Sequence, residues 1–207
     1  MKKELTTDYQ TRLWTAIKSI ERASQAEVIV VLRTSSHAYP DIPLVWGIIA
    51  AWITHTYMMY APDLFQNWLV YYLPILAFII SYAFAHLPAI KRLCSKQSTL
   101  QRNVEIMARA IFQKGGIYHT RAKTGMLIYC SILEQSVYLL PDRGIKMAIP
   151  HEEWQSLHQE FKLIFAGKKP MDALLTALDK TQVLFGQYLP ALADDINELP
   201  DALDIDL

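Results

Sequence analysis

Three hydrophobic periodicities run along the chain. Tyr9, Leu13, Ala16, Ile17 and Ile20 recur at helical spacing and predict an amphipathic first helix. Glu27 to Leu32, EVIVVL, is a short β-branched run, apolar on both faces, and predicts a central strand covered by helices. From Leu44 to Tyr60 and again from Trp68 to Leu87 the period disappears, because nearly every position is apolar. Between Asp41 and Lys91 the sole charged side chain is Asp63. These stretches of 17 and 20 residues have the length needed to cross about 30 Å of hydrocarbon as helices. Neither carries a polar stripe, so a hairpin packed in a soluble core is the weaker reading. Trp46, Trp52, Tyr57, Tyr60, Trp68, Tyr71 and Tyr72 supply aromatic residues, several near the segment ends, as interfacial belts do.

After the second apolar stretch the periodicities return. Val104, Met107, Ala108 and Ile111 mark a helix over Ser98–Gln113 that Gly115-Gly116 ends. Gly125 to Ser131 reads as a second strand and Ser136 to Leu140 as a third, a hairpin joined by the turn Leu133-Glu134-Gln135. Pro150 opens a helix that runs to about Ala166, and a last helix spans Met171 to about Tyr188. Helices alternate with apolar strands, which predicts a small mixed sheet with helices on its faces. The long crossover between the first two strands makes them parallel. The expected organisation is an α/β body formed by residues 1–41 and 97–193. It is interrupted by a transmembrane hairpin with a basic flank, 42–96, and followed by an acidic tail, 194–207.

Charge refines this picture. The whole chain of 207 residues is neutral, with 20 basic and 20 acidic side chains, 52% hydrophobic residues and 19% charged. A typical soluble domain has about 25% charged residues. Neutrality excludes a nucleic-acid binder held by bulk positive charge, but it is a cancellation. Residues 1–193 hold a formal +6 and the last fourteen residues −6, from Asp194, Asp195, Glu198, Asp201, Asp204 and Asp206. That tail is either a solvated run or a docking segment, because Ile196, Leu199, Leu203, Ile205 and Leu207 interleave with the acids. Asp194, Asp195, Glu198 and Asp201 are its candidate partner-binding residues. The connection Ala61–Asn67 has no Lys or Arg, whereas Lys91, Arg92, Lys96 and Arg102 follow the second span. The positive-inside rule then places both termini in the cytoplasm, at a cell inner membrane. The four cations are a topology signal, with contact to anionic headgroups as a second role. Reduced thiols at Cys94 and Cys130 suit that compartment, and their spacing matches no zinc motif.

Catalytic signals are sparse. His151-Glu152-Glu153-Trp154-Gln155 approaches a zincin helix, but the second ligand position is Gln155, and His158 lies too far along the axis. Lys114-Gly115-Gly116 lacks the spacing of a phosphate-binding loop. No Gly-x-Ser-x-Gly occurs. His55 and His86 have no acidic partner within the spans, and two spans are too few for a transport pathway unless the protein oligomerises.

Several segments in order carry a family resemblance: A-E-V-I-V-V at Ala26–Val31, then A-x-x-I-F-x-x-x-G-I-Y-x-T-R-x-x-T-G-M-L-I-Y from Ala108 to Tyr129. L-x-P-D-R-G-I follows at Leu139–Ile145, then Trp154, then N-E-L-P-D at Asn197–Asp201. Together they resemble the TPM domain family, named for a thylakoid lumen protein, a photosystem II repair protein and a nematode receptor modulator. The likeness is to its bacterial membrane-anchored branch with a two-span insertion. It implies a Rossmann-like α/β/α sandwich and one of two roles. The first is an accessory protein for membrane complexes, with membrane and membrane-protein partners and no nucleic acid, heme or nucleotide. The second is a weak metal-dependent acid phosphatase. A divalent cation, calcium or magnesium, is the cofactor such a phosphatase would take, with Asp142 and Glu27 as candidate catalytic or metal-binding carboxylates. Members carry an acidic Asp-Asn-Gly-type turn before the second strand. Here it reads Lys123-Thr124-Gly125, a cation where a carboxylate would stand.

Overall fold

The computed structural model describes residues 7–61, 65–191 and, by backbone alone, 203–206. In chain order it contains α1 (Thr7–Ala23), β1 (Glu27–Arg33), α2 (Asp41–Tyr60), α3 (Asn67–Phe84), α4 (Pro88–Cys94) and α5 (Gln97–Lys114). These are followed by β2 (Gly125–Ser131), β3 (Ser136–Pro141), α6 (Arg143–Ala148), α7 (His151–Leu163), α8 (Pro170–Tyr188) and β4 (Leu203–Asp206). Two 3-10 turns, Ile117–His119 and Ile164–Ala166, lie after α5 and α7. The chain divides into two compact units, residues 1–36 with 101–207, and residues 37–100.

The first unit is built on a mixed sheet of order β3-β2-β1-β4. β1 is parallel to β2 from Glu27↔Gly125 to Arg33↔Ser131, and β2 is antiparallel to β3 from Met126↔Pro141 to Ser131↔Ser136. Strand alternation sends the two sets of β-branched and aliphatic residues to opposite faces. Val28, Val30, Leu32, Met126, Ile128, Val137 and Leu139 pack with α1, α6, α7 and α8. Ile29, Val31, Leu127 and Tyr129 pack with Val104 and Ala108 of α5 and with Ile117. The expected α/β arrangement, a mixed sheet between helices, is therefore present. α1 buries Leu13, Ala16, Ile17 and Ile20, the stripe its sequence predicts. It runs beside α8, held by Tyr9 Oη donating to Asp172 (2.9 Å) and by Ser19 Oγ bonding Gln182 (3.0 Å).

Four elements differ from the sequence reading, the first being α4, which forms within the expected basic flank. No element is expected between the third strand and Pro150, but α6 starts at Arg143, too short to show a period. The helix after Pro150 ends its α-helical course at Leu163, and Ile164–Ala166 tightens into a 3-10 turn. In the acidic tail, Leu203–Asp206 adds to the sheet as β4, parallel to β1, with Val30↔Leu203 and Arg33↔Asp206 in register. The remaining candidate tail residues, Asp194, Asp195, Glu198 and Asp201, lie outside the described residues.

The second unit holds α2 and α3 as an antiparallel pair. Gly47 accommodates Phe78, whose ring atoms come within 2.7 Å of where a Cβ would stand, so any larger residue there would push the Phe78 ring aside. Ser81 Oγ donates to the Trp46 carbonyl (3.1 Å) at one end, and the Tyr57 and Phe65 rings meet at the other (6.3 Å). Both helices are long and apolar enough to cross a membrane, by length and composition. No residue of α3 is buried. His55 is exposed on α2, and His86 lies beyond the end of α3 with its ring 4.9 Å from that of Tyr82.

Candidate functional site

The two carboxylates singled out in the sequence fall in one row across the sheet. Glu27 pairs with Gly125 in the parallel ladder. On the other side of Gly125, the Asp142 N–H donates to the Gly125 carbonyl (2.8 Å). No strand offset is needed to bring them to the same end. β3 runs antiparallel, so its carboxyl end lies beside the amino ends of β1 and β2. Two strand spacings separate the backbones of Glu27 and Asp142 by about 9.6 Å.

What lies between them is filled. A Cβ on Gly125 would stand 2.1 Å from the Ile117 carbonyl oxygen, so the 3-10 turn seats directly on this glycine. The turn Lys123-Thr124 is set by Thr120, whose Oγ1 accepts the Thr124 N–H (3.0 Å). Lys123 adopts a left-handed φ of 57°. Its ammonium donates to the Tyr118 carbonyl (2.6 Å) and lies 5.9 Å from the centre of the Tyr118 ring. Gly144 completes the packing. Its N–H donates to the Lys123 carbonyl (2.8 Å), and a side chain there would meet the Ala122 and Lys123 carbonyls at 2.5 and 2.6 Å.

Asp142 caps α6. Its Oδ1 accepts the Arg143 N–H (2.6 Å), while Oδ2 is buried without a hydrogen-bond partner. The contact with Arg143 is thus made through the backbone of that residue. A calcium ion takes six to eight oxygens, and magnesium a near-ideal octahedron. Among the described residues, no group of three His, Cys, Asp or Glu could hold a metal ion. With Ile117 seated between Asp142 and Glu27 and the Lys123 ammonium on the adjoining turn, the donor set does not fit a resident divalent cation.

A second polar cluster, at the opposite end of the sheet, escaped sequence reasoning. Glu134 is only 2% exposed. Its carboxylate accepts the Ser36 N–H (2.9 Å) and the hydroxyl of Ser131. The Ser36 and Tyr129 hydroxyls share a hydrogen bond (3.0 Å). Burial, partly offset by Ser36, pushes the Tyr129 phenol above its usual pKa. The β1–β2 pairing is prolonged here by Ile132 N–H to Arg33 O (3.0 Å) and Leu133 N–H to Thr34 O (2.9 Å). The cluster clamps the segment after β1 onto the turn between β2 and β3. The one signal for it is a Glu placed three residues after a Ser that ends a wholly apolar strand.

The other candidates disperse. Gln155 bonds His151 (2.8 Å), and Trp154 packs on the first core. Burial and Lys162 lower the His158 pKa. A groove of about 320 Å³ between α7 and α8 is lined by Leu157, Val183 and Leu184 and rimmed by the Glu160–Lys180 ion pair (2.5 Å). Cys130 is buried, which pushes its thiol up to about 12, whereas Cys94 is exposed.

The architecture matches the NMR structure of the BA42 protein from the psychrophilic bacterium Bizionia argentinensis, with a TM-score of 0.60. The match covers 98% of this chain and 96% of that one at 16% sequence identity, which makes it a likeness of fold. No protein-family model and no curated protein matches the chain.

Proposed function

We propose that this protein is a membrane-anchored accessory protein of the TPM type, supporting assembly, maintenance or regulation of membrane protein complexes. The observation that carries the reading is the hairpin. α2 and α3 present Trp46, Ile49, Trp52, Ile75, Leu76 and Ile79 outward, an apolar surface with no water-facing stripe. In the proposed topology the connection Ala61–Asn67 faces outward and the α/β unit and both termini are cytoplasmic at the inner membrane. The basic residues confined to the far side of the hairpin support that orientation. The test has two steps. The full chain should float with liposomes and resist carbonate extraction. Purification in mild detergent should then return the same membrane protein in repeated preparations. A chain that stays in the aqueous fraction defeats the anchor, and one that floats but returns no reproducible partner defeats the accessory role.

A weak metal-dependent phosphatase is the second reading: the unpartnered Oδ2 of Asp142 favours it, and the poor fit of the donor set to a divalent cation counts against it. Asp142→Asn keeps the oxygen that caps α6 and removes the charge. If Asp142 is catalytic, phosphate release from p-nitrophenyl phosphate should fall at least about a hundredfold in this variant. Release that is undetectable in the parent chain, or equal in both, removes the reading.

A further inference from the structure

Within the hairpin unit, α4 is an unexplained element. It follows α3 through the tight turn at Ala85–Leu87, closed by Ala85 N–H to Ser81 O (2.9 Å) and Leu87 N–H to Phe84 O (3.1 Å). Pro88 at its first turn starts a new helix direction. It is fastened at the start of α2. Lys91 Nζ donates to the Ala38 carbonyl (2.9 Å), and the Trp46 indole N–H points at Cys94 Sγ (3.3 Å). Trp46, Tyr82 and His86 also lie at this end of the hairpin. The other side of α4 is bare. Leu93 is 86% exposed, the highest value among the described large apolar side chains. Arg92 precedes it and Lys96 follows it, both exposed. An apolar side chain beside two cations, next to interfacial aromatics, fits the boundary between acyl chains and anionic headgroups.

We propose that α4 is an interfacial segment that inserts Leu93 below the headgroups of an anionic leaflet, with Arg92 and Lys96 binding lipid phosphates. This rests on the membrane reading of the hairpin. It also separates the basic flank by role. Lys91 is used inside the unit, Arg92 and Lys96 meet lipid, and Arg102 belongs to the α/β unit.

Cys94 provides the readout, because the other thiol, Cys130, is buried and inert. The full chain, carrying an environment-sensitive maleimide on Cys94, is reconstituted in phosphatidylcholine vesicles with and without phosphatidylglycerol. With anionic lipid, the dye should shift to the blue, resist aqueous iodide and be quenched by lipids brominated near the carbonyls. Arg92→Gln and Lys96→Gln should each shift the docked-to-free ratio about fivefold toward water. Leu93→Ser should do so in both lipids. A chain that floats with vesicles while its dye is equally open to iodide in both lipids overturns the proposal and leaves the anchor standing. A chain that does not float overturns both. A signal that follows the protein-to-lipid ratio and not lipid charge assigns the face to a second copy, which also overturns it.

Discussion

β2 and α3 are both apolar, yet their fates are opposite. All seven residues of β2 are buried, whereas none of the eighteen in α3 is. In β2, each side chain finds a partner within the protein, from α1 and α8 on one face and α5 on the other. In α3, Phe78 closes on Gly47 and much of the rest points away from the protein. Apolar composition therefore states how much surface must leave water, and the pattern around it states what takes water's place. Where polar residues recur with a helical or strand period nearby, the protein supplies the cover. Where they are missing for a whole span, the protein supplies little cover of its own, and the length and composition of α2 and α3 suit a bilayer.

The same substitution in both places separates these cases most widely. Ile128 is 0% exposed and Ile75 is 55% exposed. Ile128→Ala should cost about 2–5 kcal/mol of the stability of the α/β unit, because the cavity has no solvent to fill it. Ile75→Ala should change that stability by less than about 0.5 kcal/mol. Hydrogen exchange of the β2 amides in detergent measures both. Ile75→Lys sharpens the contrast. It should leave β2 exchange unchanged while weakening membrane insertion by about 3 kcal/mol, near the span centre where a cation is most costly. Equal losses from the two alanine variants would erase the distinction between the regions.

Glu134 tests the comparison from the polar side. Its carboxylate satisfies the Ser36 N–H and the Ser131 hydroxyl where no water reaches. Glu134→Ala leaves both unpaired, at a cost of about 3 kcal/mol. Exchange should accelerate first at Ser36 and Leu133, whose amides hold the clamp. If the loss stays below about 1 kcal/mol, the cluster is not what holds the segment after β1 to the sheet.

How far these features could be read beforehand follows from the range of the forces behind them. α1, α5, β1 and β2 announce themselves because the side chains that pack them repeat within the element. α4 and α6 are too short for a period, and α6 depends on Gly144 fitting against the Ala122 and Lys123 carbonyls, 22 and 21 residues earlier. β4 is set by a partner strand some 170 residues earlier, so its alternating acids and aliphatics resemble a solvated tail. At the candidate site, the residue types Asp142 and Glu27 were legible, but their shared row through Gly125 was not. Register depends on two ladders of opposite sense. Glu134 looked like an ordinary turn residue, since burial is not a local property.

The smallest effect concerns His158, a partly buried ring on α7. Burial, and secondarily the charge of Lys162, hold its pKa below the usual 6.5. The folded protein thus binds this proton less readily than the unfolded chain. Stability from the neutral ring is complete above pH 6.5 and is lost as pH falls below it through the lower folded pKa. His158→Gln should flatten the pH dependence of unfolding in that window and leave stability above it little changed. Lys162→Met should raise the pKa toward its ordinary value, and an NMR titration of the ring reads this directly. Both responses are local to the α/β unit, so an equal pH slope in α2 and α3 exchange would assign the acid sensitivity elsewhere.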